Sequence, residues 1–240
     1  MKEQEFKEIL KIRAKKIDVQ LNEKQLDLLF KYKELILDWN KNINLTAIKD
    51  DEEFINKHLI DSLTIAKYIQ NIDAKIIDIG TGAGFPGVPI NIYLNSDMVL
   101  FDSLNKRLKV LDDIIQKLEL SNIKTLHGRA EETFINKQYR ETFDIATSRA
   151  VANLNVLAEY ILPAVKIGGF CICMKAGNTE KEINEAKSAI DILGGKIEKI
   201  DKLIIPDTDI ERTIIIIKKL KNTPNNYPRK PGTPAKDPIK

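Results

Sequence analysis

The spacing of hydrophobic positions changes along the chain. From Leu21 to Asn40, the apolar residues Leu26, Leu29, Phe30, Leu35, Ile36 and Trp39 recur mostly three and four apart, with Asn22 and Gln25 placed as a capping box. That pattern predicts an amphipathic helix. A second helix is predicted from Asp51 to Gln70, with Phe54, Ile55, Leu59, Leu63, Ala66 and Ile69 on one stripe. After Asn71, short apolar runs alternate with amphipathic stretches, as in βα units and a mostly parallel sheet. Strands are predicted at Lys75 to Ile79, Met98 to Asp102, Lys124 to His127, Phe143 to Thr147 and Gly169 to Lys175. Lys196 to Ile205 and Arg212 to Lys218 follow without a helix between them and read as an antiparallel pair closing the sheet. The expectation is an α/β fold: a Rossmann-like, seven-stranded, mostly parallel sheet (residues 71–220) with an N-terminal helical extension (1–70).

Composition changes this picture at the chain's ends. The first segment, MKEQEFKEILKIRAKKI, carries a charge every second or third residue and lacks a signal-like apolar core. No run approaches the roughly 18 apolar residues of a membrane span, and a cytoplasmic location without membrane partners is expected. From Lys218 onward there are seven basic residues against one acidic, and five of the nine prolines. Such a composition reads as an extended basic Pro-rich tail (221–240), either solvated or docking on RNA phosphates. Net charge is +3, which allows a nucleic-acid partner without requiring one. Cys171 and Cys173, one residue apart in an apolar run, are read as strand residues facing opposite sides and left unpaired.

Candidate chemistry concentrates in IIDIGTGAGFPGVPI, residues 76–90, where an apolar strand ends at Asp78 and runs into Gly80, Gly82, Gly84 and Gly87. Glycines there allow a tight turn and close approach of a ligand to the backbone beside a helix start. Gly82, Gly84 and Gly87 also satisfy the dinucleotide pattern, so a nicotinamide-dependent oxidoreductase is one reading. Asp78, two residues before Gly80, and Pro86 at the loop's exit weigh the other way, since D-x-G-x-G resembles the first motif of S-adenosylmethionine-dependent methyltransferases. Asp102 closes the second strand, where a carboxylate accepts from ribose hydroxyls. Ala130 and Glu131 follow the third strand at the rim expected to receive an adenine. Arg149 ends the fourth strand, suited to a cofactor carboxylate or to RNA, and Lys175 ends the fifth, suited to phosphate or guanine O6. No metal-ligand cluster is legible.

Six motifs occur in order: WNKNINLTAI, HLIDSL, DIGTGAGFPG, FDSLNKR, HGRAEE and ATSRAVANL. Together they closely resemble the RsmG (GidB) family of small-subunit rRNA guanine-N7 methyltransferases, over about Leu28 to Lys219. The resemblance implies a class I methyltransferase fold. It also implies methyl transfer from S-adenosyl-L-methionine to N7 of a guanine in the 530 loop of 16S rRNA, with 16S rRNA or the small ribosomal subunit as partner. Gly80, Phe85, Ala130, Glu131 and Arg149 match its cofactor-contacting positions, and Gly82 lies in the same loop. His58, next to Asp61 and Ser62, gains a pocket-facing role only from this resemblance. Guanine N7 needs no deprotonation, so no acid/base residue is assigned. A noncatalytic rRNA-binding protein with this fold is the other alternative, and a monomer is favoured over an oligomer.

Overall fold

The computed structural model describes every residue but Asn178. Seven strands form one sheet: β1 (Ile76–Ile79), β2 (Met98–Asp102), β3 (Ile123–His127), β4 (Phe143–Arg149), β5 (Val165–Ala176), β6 (Gly195–Ile204) and β7 (Glu211–Lys219). Their spatial order is β3-β2-β1-β4-β5-β7-β6, with β7 antiparallel to both neighbours and the rest parallel. The predicted closing pair is thus present, with the last strand inserted beside β5. The chain leaves β1 toward β2 and β3 and returns on the other side at β4, so strand order reverses between β1 and β4. In open α/β sheets ligands bind at that point, beyond the carboxyl ends of the strands.

Alternation along the strands sorts the core into two layers. Ile76, Met98, Leu100, Ile145, Ile172 and Ile214 pack under the N-terminal helices. Ile77, Val99, Phe101, Ala146, Cys171 and Cys173 face the opposite layer. The two cysteines therefore share a face, contrary to the expectation above, because a strand repeats every two residues. Both are buried free thiols.

Helix α2 (Glu23–Trp39) starts in the predicted capping box. Asn22 Oδ1 accepts from Gln25 N and Gln25 Oε1 accepts from Asn22 N, each at 2.9 Å. Ahead of it lies α1 (Glu3–Lys15), obscured in the sequence by its charge density. Phe6, Leu10 and Ala14 recur every fourth residue and are fully buried. The second predicted helix is real but irregular: α3 (Asp51–Phe54) passes through a π-helical segment (Ile55–Ile60) into α4 (Asp61–Leu63), and Ala66–Tyr68 form only a 3-10 turn. Such widened turns are frequent at functional sites. After the sheet begins, α5 (Gly87–Leu94), α6 (Asn105–Lys117), α7 (Ala130–Thr133), α8 (Leu154–Ile161) and α9 (Glu180–Ile192) connect the strands. No helix among the described residues is long and apolar enough to cross a membrane.

Residues 221–240 are not an extended arm. They fold back onto α7 and α8 and end in a short helix, α10 (Thr233–Lys236), with Pro228, Pro234 and Ile239 buried. Buried Glu159 of α8 accepts from Arg229 Nε at 3.0 Å and Nη2 at 2.7 Å, and from Arg229 N at 2.7 Å. Arg140 donates to the carbonyls of Thr223 at 2.6 Å and Tyr227 at 2.8 Å. Lys219, fully buried at the end of β7, donates to Leu162 O at 2.8 Å and to Thr223 Oγ1. Composition misleads here because a few charge-assisted bonds to backbone and to one buried carboxylate replace the apolar core such a segment lacks.

Arg229→Ala leaves the Glu159 carboxylate buried without its partner, which is expected to destabilise the protein by about 3 kcal/mol. Urea unfolding measures this. Limited trypsinolysis of the same variant is expected to cut within residues 221–240 first, and unchanged stability and cleavage would show that the tail is not latched through Glu159.

Candidate cofactor and substrate site

The glycine loop leaves β1 at Asp78, whose side chain is fully buried. Its carboxylate accepts from Thr81 Oγ1 at 2.6 Å, Thr147 Oγ1 at 3.0 Å and Gly87 N at 3.1 Å. Burial pushes its carboxyl pKa up, and those hydrogen bonds with the Arg149 charge partly oppose the rise. Asp78 thus shapes the loop from beneath. Gly80 has φ +72°, and a Cβ there would lie 2.4 Å from a Val151 methyl. Gly84, at φ +96°, would place a Cβ 2.6 Å from the Tyr32 hydroxyl. That hydroxyl, buried on α2, donates to Ala83 O at 2.6 Å. Only glycine meets both the backbone and the space at these positions.

At the end of β2, Asp102 Oδ2 accepts from Gly82 N at 2.9 Å and Oδ1 from Leu104 N at 2.8 Å. Gly80, Asp102, Ala130, Glu131, Val151 and Tyr160 line a cleft of about 210 Å³ at the carboxyl edge of β1 to β3. Four residues singled out in the sequence therefore converge, and Gly82 adjoins them through Asp102. Glu131 also accepts from Gly232 N of the tail at 3.1 Å. Phe85 does not line this cleft. It is buried in an aromatic group, stacked on the His58 ring at 4.3 Å and tilted against Tyr32.

Beside the cleft, at the end of β4, Arg149 Nη1 donates to Asp61 Oδ2 at 2.9 Å and to Lys57 O at 3.0 Å, while Nη2 lies 3.3 Å from His58 Nδ1. Its guanidinium sits 5.1 Å from the Phe85 ring centre. Arg212 of β7 donates from Nε to Asp61 Oδ1 at 2.9 Å. His58 Nε2 is 2.7 Å from Thr46 Oγ1. With Nδ1 facing a guanidinium, the neutral ring carries its proton on Nε2 and donates to Thr46. Burial and then the Arg149 charge push its pKa down to about 3. Lys175 does not join this group. Its ammonium is held by Ala152 O and Glu182 on the α8–α9 side. Sequence reasoning missed Tyr32, Thr46 and Arg212 as site residues. Thr46 lies in the WNKNINLTAI motif, whereas nothing local marks a tyrosine on an amphipathic helix or an arginine opening a strand.

Residues 25–211 match the family model described as rRNA small subunit methyltransferase G. The chain is 50% identical to the ribosomal RNA small subunit methyltransferase G of Clostridium novyi, covering 98% of this chain and 97% of that protein. The protein of the same name from Clostridium tetani is 46% identical, with 98% and 99% covered. Among solved structures, the fold is similar to the [4+2]-cyclase SpnF (TM-score 0.57, 12% identity, 85% of this chain and 98% of that one). It is also similar to M. jannaschii TYW2 in complex with AdoMet (TM-score 0.53, 13% identity, 67% and 77% covered). At such identities these two speak for the fold alone, and the family assignment rests on the sequence matches. The chain belongs to the rRNA small subunit methyltransferase G family.

Proposed function

We propose that this chain transfers the methyl group of S-adenosylmethionine to N7 of a guanine in the 530 loop of 16S rRNA, in the cytoplasm. The observation that carries the cofactor half is the convergence of Gly80, Asp102 and Ala130 on one cleft at the strand-order reversal. These residues fit the group. Asp102 offers a carboxylate to ribose hydroxyls. Ala130 opens α7, so its N–H has no intrahelical acceptor and is available to an adenine edge. At about 210 Å³ the cleft is below the roughly 300 Å³ at which small-molecule sites begin. Val151, lying on Gly80, is the side chain that must yield to admit the amino-acid end.

When bound, the cofactor supplies an electrophilic methyl on a sulfonium. Guanine N7 brings a lone pair in the ring plane and no proton, so the chain's part is alignment and exclusion of water. The side chains agree with that division. His58 is too weakly basic to take a proton. Both cysteines are fully buried, with Cys173 pushed up to about 12 by burial, so neither offers the thiolate that pyrimidine C5 chemistry requires. Arg149 is proposed to orient the acceptor or the cofactor carboxylate from its anchorage on Asp61. Lys175, held by Glu182 and Ala152 away from this group, drops out of the proposal. The position of the methylated base rests on family membership.

The direct test is radiolabelled methyl transfer to small subunits from a strain lacking this activity, with the labelled base mapped. Label at N7 of a 530-loop guanine is the expected result, and label confined to any other atom would overturn the assignment. Asp102→Ala is expected to weaken S-adenosylmethionine binding by about tenfold or more in calorimetry, through lost charge-assisted bonds. An unaltered affinity would remove Asp102 from the cofactor site.

His58 yields a pH prediction. Its folded pKa is depressed, so its contribution to stability is present above the unfolded value of 6.5 and is lost as pH falls toward about 3. His58→Gln is expected to flatten that acid-side loss in urea unfolding. Single-turnover methylation by the wild type is expected to show no inflection near pH 6.5 that disappears in His58→Gln; seeing one would make His58 a participant in proton transfer.

A further inference from the structure

The fully buried Asp61 carries two guanidiniums on one carboxylate. Besides the Nε bond given above, Arg212 donates from Nη2 to Asp61 Oδ2 at 3.4 Å and from Nη1 to Glu211 O at 3.0 Å. The side chain of Asp61 is 1% exposed, those of Arg149 and Arg212 16% and 18%. Two arginines thus share one carboxylate directly, in a place largely shielded from water. Of the other acidic groups nearby, the buried Asp78 acts on Arg149 electrostatically and Glu211, next to Arg212, is exposed. Lys57 is paired with Glu53 and Lys202 with Glu180, both on the exposed surface, and His58 is neutral. Two guanidiniums offer ten N–H donors. Arg149 and Arg212 together make six contacts among the described residues, so four donors are without a partner there.

Placement adds a second argument. Arg149 pairs with Met174 across β4 and β5, and Arg212 pairs with Ala176 across β5 and β7. The pair thus extends the carboxyl edge of the sheet away from the cofactor cleft, and Val151 of that cleft is two residues from Arg149. Arg212 also borders an open cleft of about 450 Å³ with Gly177, Lys202, Glu211 and Thr213. Free forked donors at the border of a cleft that also carries Lys202 suit an anion with several oxygens, which describes a phosphodiester.

We infer that Arg212, held against Arg149 by Asp61, is a substrate-positioning residue that receives a backbone phosphate of the RNA strand presenting the methylated base. This rests on the proposed rRNA methylation. The arrangement explains why a strand-opening arginine is tied to a carboxylate 151 residues earlier in the chain. Asp61 sets the angle between the forks, and the phosphate completes their donors.

The test compares wild type, Arg212→Ala and Arg212→Lys in three measurements: S-adenosylmethionine affinity by calorimetry, steady-state methylation of undermethylated small subunits, and filter binding of the corresponding rRNA against salt. Arg212→Ala is expected to leave cofactor affinity unchanged and to raise KM for the subunit about tenfold, with kcat much less affected. It is also expected to reduce the slope of log affinity against log salt by about one. Arg212→Lys keeps the charge without the fork and is expected to restore the slope but only part of KM. A loss of cofactor affinity in Arg212→Ala would assign the pair to the cofactor carboxylate and overturn the inference. A thermal shift with unchanged KM and salt slope would reduce Arg212 to a structural brace, overturning it too. Both results leave the methyltransferase reading standing, which fails separately if wild type labels no guanine N7.

Discussion

The carboxylate of Asp78 is the constraint around which the site is built. A buried charge is costly unless it is fully hydrogen-bonded, and the three donors that satisfy Asp78 come from three different places. Thr81 lies in the glycine loop, Gly87 opens α5 and Thr147 lies on β4. Satisfying one side chain therefore fixes where the loop turns, where the next helix begins and how β4 sits beside β1. Gly87 must be glycine for the same reason, because a Cβ there would lie 2.9 Å from Asp78 Oδ2. The acidic residue that helps mark the cofactor motif in sequence thus faces inward. The carboxylate that lines the cleft is Asp102, one strand over.

Much of this was legible. Capping residues and short apolar runs are local signals, so α2 and the strands follow from residues near one another in the chain, whereas the order of the strands in space does not. Gly80, Asp102, Ala130 and Glu131 were also readable because each closes a strand or opens the next helix, and a parallel sheet brings those ends together. Other features depend on partners far away in sequence. The bond from Tyr32 to Ala83 spans 51 residues and that from Arg212 to Asp61 spans 151. Nothing in the local pattern announces either. Phe85 and Lys175 show the reverse failure: their positions on loop and strand end were read correctly, but direction was not. Phe85 turns into the aromatic group and Lys175 toward Glu182, where each is satisfied within the protein.

The tail shows how composition and structure part company. Prolines and lysines exclude a conventional core, yet Glu159 needs a buried partner and Arg140 needs acceptors, and residues 223–229 supply both. Because Glu131 accepts from Gly232 N, the tail also reaches a residue that lines the cofactor cleft. Its docking and the shape of that cleft are therefore mechanically connected.

The N-terminal helices complete the polar surroundings of the glycine loop. A sheet and a glycine loop do not by themselves decide which acceptor is used. In this chain the segment before β1 is more than a cover for the apolar face. It sends the Tyr32 hydroxyl to the loop carbonyl, Thr46 and His58 to one another, and Asp61 to both arginines. These contacts fall on the β4 side of the glycine loop. The π-helical segment sets this up: Lys57 and His58 lie within it, Asp61 follows it directly, and all three meet Arg149. Straightening that segment would shift the phase of every residue after it and carry Asp61 away from Arg149. The constraint on residues 55–61 therefore comes from beyond the core, from the polar groups that must meet Arg149.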